Sequence, residues 1–451
     1  MTLDDLPSAN RAGQDIAMTR SQALTDVNDE SYLAKVPGSK SYTNRALILA
    51  AMRPGTTDLL GGLKCDDTYR MSEALNAFGG LTVSETENGF RIVRKAERLT
   101  APLEPLHLDA AGTPARFLLA FSTAAEGETT ITGTKRLCER PMGEILDALR
   151  ALGIEAHCLE GEQQLPVRIT GSPITSRTWA THGQTSSQSA SALLLLASQQ
   201  SQGPVRIELR GRSLSAPYID MTLAMMNACG IPASRTDDSA IVVQQAVVQG
   251  DTIAIEPDAS SMACFLAAAA ITGSEVQIQG IGSSSIQGDV GLAHIFEQMG
   301  CTLSITRDAI RLKGGPLTGL DIDMGAMPDV VMLLAVVAAR ASGTSRITNI
   351  GNLRFKESDR LHAMASGLQQ LGVTVEQGDD FLIIHPDVKR MIASPVATYD
   401  DHRVAMAFSV LGLVVDGIEI EHPECVAKSF PGYWQELNRF RAHHHAAPSG
   451  P

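Results

Sequence analysis

The sequence predicts an α/β protein of six tandem units, most simply divided into two domains of three. Three observations carry this. Polar segments that run straight into Ala/Leu-rich helical stretches recur at Ser39, Gly112, Ser186, Ser260, Pro328 and Asp400, at intervals of 73, 74, 74, 68 and 72 residues. A second helical pattern keeps step with the first and closes at Gly79, Gly153, Gly230, Gly300 and Gly372, a helix-stop signal. Short β-like runs fall between and after the helices at matching places.

Taken in order, the first helices are SKSYTNRALILAAM, GTPARFLLAFSTAA, SSQSASALLLLASQ, SSMACFLAAAAITG, PDVVMLLAVVAARA and DDHRVAMAFSVLGL. Each is followed by a strand: TTDLL, ETTITG, PVRIELRG, EVQIQG, TSRITNI and IEIEHP. After the second helix comes a strand pair with a turn, such as GIEAHCL with LPVRITG or GVTVEQ with FLIIHP. Each unit therefore reads strand–helix–strand–helix–strand–strand, βαβαββ.

Composition excludes several classes. With 44% hydrophobic and 19% charged residues the chain is neither disordered nor collagenous. A net charge of −13 disfavours a nucleic-acid or anionic-membrane partner. The longest apolar run, near Val330–Ala339, is far too short for a bilayer. The opening MTLDDLPSANRAGQD carries acidic residues and no apolar centre, unlike a signal or transit peptide. The seven cysteines are scattered without a CxxC pair, which predicts a reducing cytoplasm, no disulfide framework and no structural zinc. The stretch RAHHHAAPSGP, residues 441–451, reads as a disordered tail.

Ser, Thr, Asp and Gly dominate the helix openings, as caps require. Helix N-termini present free N–H groups and partial positive charge. Several converging would let an acidic protein bind a polyanionic small molecule. Basic residues gather at the same slots: Lys40 and Arg45 in PGSKSYTNR, Arg140 in RPM, Arg354, Lys356 and Arg360 in NLRFKESDR, Arg403 in DDHR and Lys428 in KSFP. Singly, each reads as a cap or a solvated charge. Basic residues at a helix start are unfavourable unless an anion is near, which favours a site. GSKS lacks the spacing of a P-loop.

The segments PGSKSYTNRALILAA, AGT with a following Arg, RPM, SSQSASALLLLA, SAPYIDMTLAMM, PDAS, MPD, LRFKESDR, DDHRVAMAF and AKSFPGYW resemble, in this order, the motifs of the 5-enolpyruvylshikimate-3-phosphate synthase family. The resemblance spans roughly residues 30–440. It implies the two-domain enolpyruvyl transferase fold: six βαβαββ repeats, three per domain, helices inside each domain and their N-termini facing an interdomain cleft. The expected domains are residues 38–255, and residues 1–37 with 256–440. The hinges are expected near Val36–Gly38 and Ile255–Pro257. The implied reaction moves the enolpyruvyl group of phosphoenolpyruvate onto the 5-hydroxyl of 3-phosphoshikimate and releases phosphate, in chorismate and aromatic amino-acid biosynthesis. No cofactor is implied, and a cytoplasmic monomer is expected.

By the same resemblance, Lys40, Arg140, Arg360, Arg403 and Lys428 surround phosphoenolpyruvate, with Gly112 allowing close backbone approach. Ser41, Arg45, Ser186, Ser187, Ser215, Tyr218, Asn352 and Lys356 hold 3-phosphoshikimate, and Gln188 lies between the substrates. Asp329 is the candidate base at the 5-hydroxyl. Glu357 is the candidate proton donor to the methylene carbon, with Lys40 assisting. A carboxylate among so many cations should have a lowered pKa, so Glu357 serves as an acid only if substrate charges offset them. The chain has Ala110 where many members carry Asn. Gly112 is kept, which predicts sensitivity to glyphosate. The alternative is UDP-N-acetylglucosamine enolpyruvyltransferase, a family that usually places a Cys five residues before the Arg-Pro pair, where this chain has Lys135.

Overall fold

The structure, a computed structural model, describes residues 31–182, 187–199, 203–211, 215–387 and 391–446. Among them lie α1 (Lys40–Met52), α2 (Asp66–Ala77), α3 (Gly112–Phe121), α4 (Lys135–Glu139), α5 (Gly143–Ala151), α6 (Ser187–Ala197) and α7 (Ala216–Ala228). Then follow α8 (Ala259–Thr272), α9 (Leu292–Gln298), α10 (Val331–Ala338), α11 (Arg360–Gln370), α12 (His402–Leu411) and α13 (Tyr433–Ala446).

Five four-stranded sheets share one plan. The strand after a unit's first helix pairs parallel with an entry strand on one side. On the other side it pairs antiparallel with the hairpin that follows the second helix, as in Thr178–His182, Val205–Arg210, Ala240–Val243 and Ala233–Asp237. A parallel pair needs a crossover, and the unit's first helix supplies it in the second, third and fifth units, where the entry strand comes just before that helix.

The first helix of each unit lies inside. α10 is buried at every position and α8 at nearly every one, so their sequences are apolar all round rather than amphipathic. Each Leu, Ile or Phe so buried contributes about 1.5–3 kcal/mol. The buried apolar side chains form two cores. One runs from Ala46 to Ile255. The other joins Tyr32 and Ala34 to residues from Ala259 to Phe440.

The two halves exchange edge strands. Thr252–Ala254 pairs parallel with Asp58–Leu60 of the first unit, while Tyr32–Leu33 pairs parallel with Val276–Gln277 of the fourth. The two crossing segments run side by side: Ser39 N–H donates to Glu256 O at 2.8 Å and Asp258 N–H to Pro37 O at 2.8 Å. Gly38 sits in this crossing, where a Cβ would lie 1.8 Å from the carbonyl oxygen of Gly61, so only glycine fits.

Four sequence expectations are corrected. The sixth unit is not a complete βαβαββ: only Pro395–Val396 and Glu419–Ile420 pair, and a 3-10 turn at Pro423–Lys428 leads into α13 in place of a second helix and hairpin. The helix stop in the first unit is Gly80 (φ 93°) rather than Gly79, which instead bridges to Thr100. Arg140 closes α4, and Met142 is the residue that caps α5. Residues 441–446 are no disordered tail but the last turns of α13. Tyr32 packs on His443 with ring centroids 5.4 Å apart, and Ser274 Oγ lies 2.7 Å from His444 Nδ1. Residues 1–30 and 447–451 lie outside the described residues.

Candidate active site

A cleft between the two cores is lined at its walls by the first residues of seven helices: Lys40 and Ser41 of α1, Thr113 of α3, Ser187 and Gln188 of α6, Tyr218 of α7, Asp329 just before α10, Arg360 of α11, and His402 and Arg403 of α12. Asp67, Arg45, Arg140, Ser215, Asn352, Lys356 and Glu357 complete the wall. Gly112 stands behind Arg140 and Lys428 behind Asp67. Ser186 lies outside the described residues.

The two cores meet at Asp67. Its carboxylate accepts from Lys40 Nζ at 2.8 Å and from Lys428 Nζ at 2.5 Å, and Lys428 also donates to Ala110 O at 2.9 Å. Burial pushes the Asp67 carboxyl up, but Lys40 and Lys428 outweigh it and hold it below its ordinary value. Burial likewise lowers Lys40, and Asp67 and Glu357 reverse this to a net rise. Lys40 is therefore a firmly protonated ammonium in the free cleft.

Arg45 is 1% exposed, and its donors go to protein acceptors: Thr222 Oγ1 at 2.7 Å, Ser41 O at 2.9 Å, and Ser191 Oγ and Tyr218 O at 3.1 Å. Burial lowers its pKa to about 10. Gln188 is fixed by Arg116 Nη1, which donates to its Oε1 at 2.9 Å, and by its own donation to Thr113 Oγ1 at 2.9 Å. Burial, with Arg140 close by, lowers Arg116 to about 9. Arg140 is different. It is 5% exposed, and its Nε and Nη1 have no hydrogen-bond acceptor among the described residues. A buried guanidinium with unused donors fits an anionic ligand.

The opposite wall carries an acid cluster. Asp329 Oδ1 lies 3.0 Å from Arg360 Nη1 and 3.3 Å from Lys356 Nζ, while its Oδ2 accepts from the Tyr218 hydroxyl at 3.2 Å. Glu357 lies 2.9 Å from Arg360 Nη2 and 3.6 Å from Arg140 Nη1. Burial raises both carboxyls, yet the cations win. Lys356, Arg403 and Arg360 hold Asp329 well below the carboxylate range, and Arg360, Arg140 and Lys428 do the same to Glu357. Arg360 also grips Asp401 through Nε at 2.8 Å and Nη2 at 3.2 Å. Asp401 caps α12 and accepts from Arg403 N at 3.0 Å. The anions that a basic helix start requires are thus partly internal.

Sequence reasoning missed Asp67, Arg116, Thr113, His402 and Asp289 as individual site residues. Arg116, Thr113 and His402 lay inside recognised motifs. Asp67 read as an ordinary acidic residue in a helix's first turn. Asp289 is buried, bonded by Ser260 Oγ, and raised to about 6 by burial and the nearby Asp329; no motif flagged it. Ser215 holds a left-handed backbone (φ 59°), and its N–H donates to Gly325 O of the other half at 3.2 Å.

His402 gives a pH prediction. Its ring is buried, and neither nitrogen has a hydrogen-bond partner among the described residues. Burial, then Lys40 and Arg403, push its pKa well below 6.5. The unfolded chain therefore binds the proton more readily, and this group's contribution falls as pH drops below about 6.5. Asp289 works the other way, stabilising as pH falls from about 6 toward the unfolded carboxyl value. A His402→Gln variant should lose only the first dependence. Melting temperatures of both proteins between pH 7.5 and 5.5 check this: if the difference between the two curves is constant, His402 carries no such linkage.

Residues 29–437 match the family model of EPSP synthase (3-phosphoshikimate 1-carboxyvinyltransferase). The 3-phosphoshikimate 1-carboxyvinyltransferase of Shewanella halifaxensis is 40% identical over 422 residues, covering 92% of this chain and 98% of its own. That of Vibrio cholerae serotype O1 is 41% identical over 407 residues, covering 89% and 95%. The solved EPSP synthase from Acinetobacter baumannii superposes with a TM-score of 0.74 at 27% identity, over 91% of this chain and 95% of that one. The enolpyruvyl transferase NikO from Streptomyces tendae, at 15% identity, shares the fold with a TM-score of 0.70 over 91% and 94%.

Proposed function

The chain belongs to the EPSP synthase family, the 3-phosphoshikimate 1-carboxyvinyltransferases, and from that premise we propose how its cleft performs the family's reaction. The enzyme transfers the enolpyruvyl group of phosphoenolpyruvate to the 5-hydroxyl of 3-phosphoshikimate and releases phosphate. The observation that carries the assignment to this cleft is its charge. In a chain of net charge −13, eight cations (Lys40, Arg45, Arg116, Arg140, Lys356, Arg360, Arg403 and Lys428) gather around five carboxylates (Asp67, Asp289, Asp329, Glu357 and Asp401). Two multiply charged substrates neutralise that surplus.

Asp329 is the base. It is ionised and faces Lys356, so a sugar-like acceptor anchored by Lys356, Ser187 and Ser215 brings a hydroxyl to it. The hydroxyl oxygen bonds to C2 of phosphoenolpyruvate, its proton passes to Asp329, and C3 gains a proton from Glu357 or Lys40. In the second half C3 returns a proton, the C2–O bond to phosphate breaks, and the enol ether and phosphate leave. Glu357 is held ionised before substrates arrive. Anions bound at Arg140 and Arg360 offset the field of those cations, so Glu357 takes up its proton with the substrates. General acid–base groups of this kind contribute about 10²–10⁴-fold each, and aimed cations in a drier cleft contribute more.

The domain boundaries we adopt are residues 38–255, and residues 31–37 with 256–446, the expected limit at 440 being moved to the end of α13; the two cores and the paired crossings support them. Rotation about the crossings near Val36–Gly38 and Ile255–Pro257 opens the cleft. A cytoplasmic monomer suits a biosynthetic enzyme of this charge. Among the described residues no helix is long and apolar enough to cross a membrane.

Turnover decides between acceptors. Phosphate release is measured with phosphoenolpyruvate and either 3-phosphoshikimate or UDP-N-acetylglucosamine. Release with the first alone is expected; release only with the nucleotide sugar overturns the reading. Gly112 supplies a second check. A Cβ there would lie 2.4 Å from Arg140 Nη1 and 2.6 Å from its Cζ. Gly112→Ala should therefore displace the guanidinium and raise the KM for phosphoenolpyruvate about tenfold, as overpacking of a tight site costs. The glyphosate inhibition constant of the variant should rise by more. An unchanged KM would remove Gly112 from the phosphoenolpyruvate side of the cleft.

A further inference from the structure

Arg136 lies in α4, outside the cleft wall, and belongs to none of the motifs above. Its guanidinium crosses from the first half of the molecule to the second. Nε donates to Lys356 O and Glu357 O, each at 3.2 Å, and Nη2 donates to Lys356 O at 2.8 Å and Arg354 O at 3.1 Å. One side chain thus holds three carbonyls of a single short segment. That segment follows the 3-10 turn Gly351–Phe355, where end carbonyls lack intrahelical donors.

The same segment presents Lys356 to Asp329 and Glu357 to Arg360. It is pinned from the far side by Arg354, which donates to Gly378 O at 2.6 Å and Asp379 O at 3.1 Å and pairs with Asp359 at 3.0 Å. Those ties come from within the second half and do not depend on the first. The Arg136 bonds exist only when the halves are together.

We propose that Arg136 is a positioning residue, an interdomain clasp that fixes the backbone of residues 354–357 on closure and so delivers Lys356 and Glu357 to the reacting groups. It touches no reacting atom. The proposal rests on the reaction assigned above for its catalytic consequence, but not for the clasp itself. The planar fork spreads its donors over two nitrogens, Nε and Nη2, to span three carbonyls of one segment; the compact lysine ammonium reproduces that reach only in part.

The test uses the full chain as wild type, Arg136→Ala and Arg136→Lys. Hydrogen exchange, read without ligands and again with 3-phosphoshikimate and inorganic phosphate added to hold the halves together, reports the clasp apart from turnover. Amides of residues 351–359 should exchange at least about tenfold faster in Arg136→Ala, the scale of losing charge-assisted hydrogen bonds, while the rest of the second half is unchanged. In the assay with 3-phosphoshikimate, kcat should fall about 10- to 100-fold in Arg136→Ala with KM values within about threefold, a smaller loss in Arg136→Lys, and partial rescue of Arg136→Ala by millimolar guanidinium. Unchanged exchange at 351–359 both with and without these ligands overturns the clasp. Faster exchange with unaltered kcat overturns its positioning role. Wild type that turns over only the nucleotide sugar refutes the assigned reaction and, with it, the catalytic half of the proposal, while exchange still judges the clasp.

Discussion

An Asp329→Asn enzyme is expected to bind both substrates and to turn them over about 10²–10⁴-fold more slowly. The side chain keeps its size, and its oxygen can still accept from the Tyr218 hydroxyl, now at 3.2 Å from Oδ2. What is lost is the negative oxygen among Lys356, Arg360 and Arg403. Those three hold Asp329 ionised against the cost of its burial, so it enters the reaction as a carboxylate with a free oxygen lone pair and not as an acid. The amide cannot accept one. Single-turnover and steady-state rates measured together check the prediction. A kcat within tenfold of wild type would move the base elsewhere, and Asp289, near Asp329, would be the first place to look.

The second large effect is on stability. Arg360 is 1% exposed and bonds three carboxylates, of which Asp401 is 0% exposed. Arg360→Leu leaves them partly uncompensated, and breaking a buried pair from one side costs about 3–5 kcal/mol. The double variant Arg360→Leu with Asp401→Leu should recover part of that loss, because the stranded charge is removed as well. Denaturant midpoints of the single and double variants measure both. The pH dependence follows in sign. Asp329 and Glu357 have folded pKa values below their unfolded ones. Their contribution is present above about pH 4 and is lost as pH falls through the folded values. Arg360→Leu should flatten that acid-side loss. A single variant as stable as wild type at pH 7 would show that Lys356, Arg403 and the α12 cap suffice without Arg360.

Much of the fold was legible because its signals are local. The recurrence near 70 residues, the capped openings and the strands TTDLL, ETTITG and EVQIQG all depend on neighbours in the chain, and strands stand where these were read, at Gly55–Leu60, Glu128–Thr132 and Glu275–Gln279. The sixth unit broke the pattern because nothing in IEIEHP reveals that, once Glu419–Ile420 has paired, the chain turns at Pro423 into α13 in place of a second helix and hairpin. The histidine stretch misled because composition, not context, was read: Tyr32 and Ser274, far away in sequence, anchor the last turns of that helix.

The sequence by itself determined the five complete units and the first helix of the sixth, the inner helices with polar openings, and the identity of the cations in the site motifs, since each is written within a few residues. Only the tertiary structure decided which half donates Tyr32–Leu33 and Thr252–Ala254 to the other, that Lys40 and Lys428 share Asp67, that Arg140 keeps unused donors, and that Glu357 begins ionised while His402 stays neutral. Charge state and partner choice depend on burial and on fields from groups as distant in sequence as Asp67 and Lys428, and neither burial nor field exists until the chain has closed on itself.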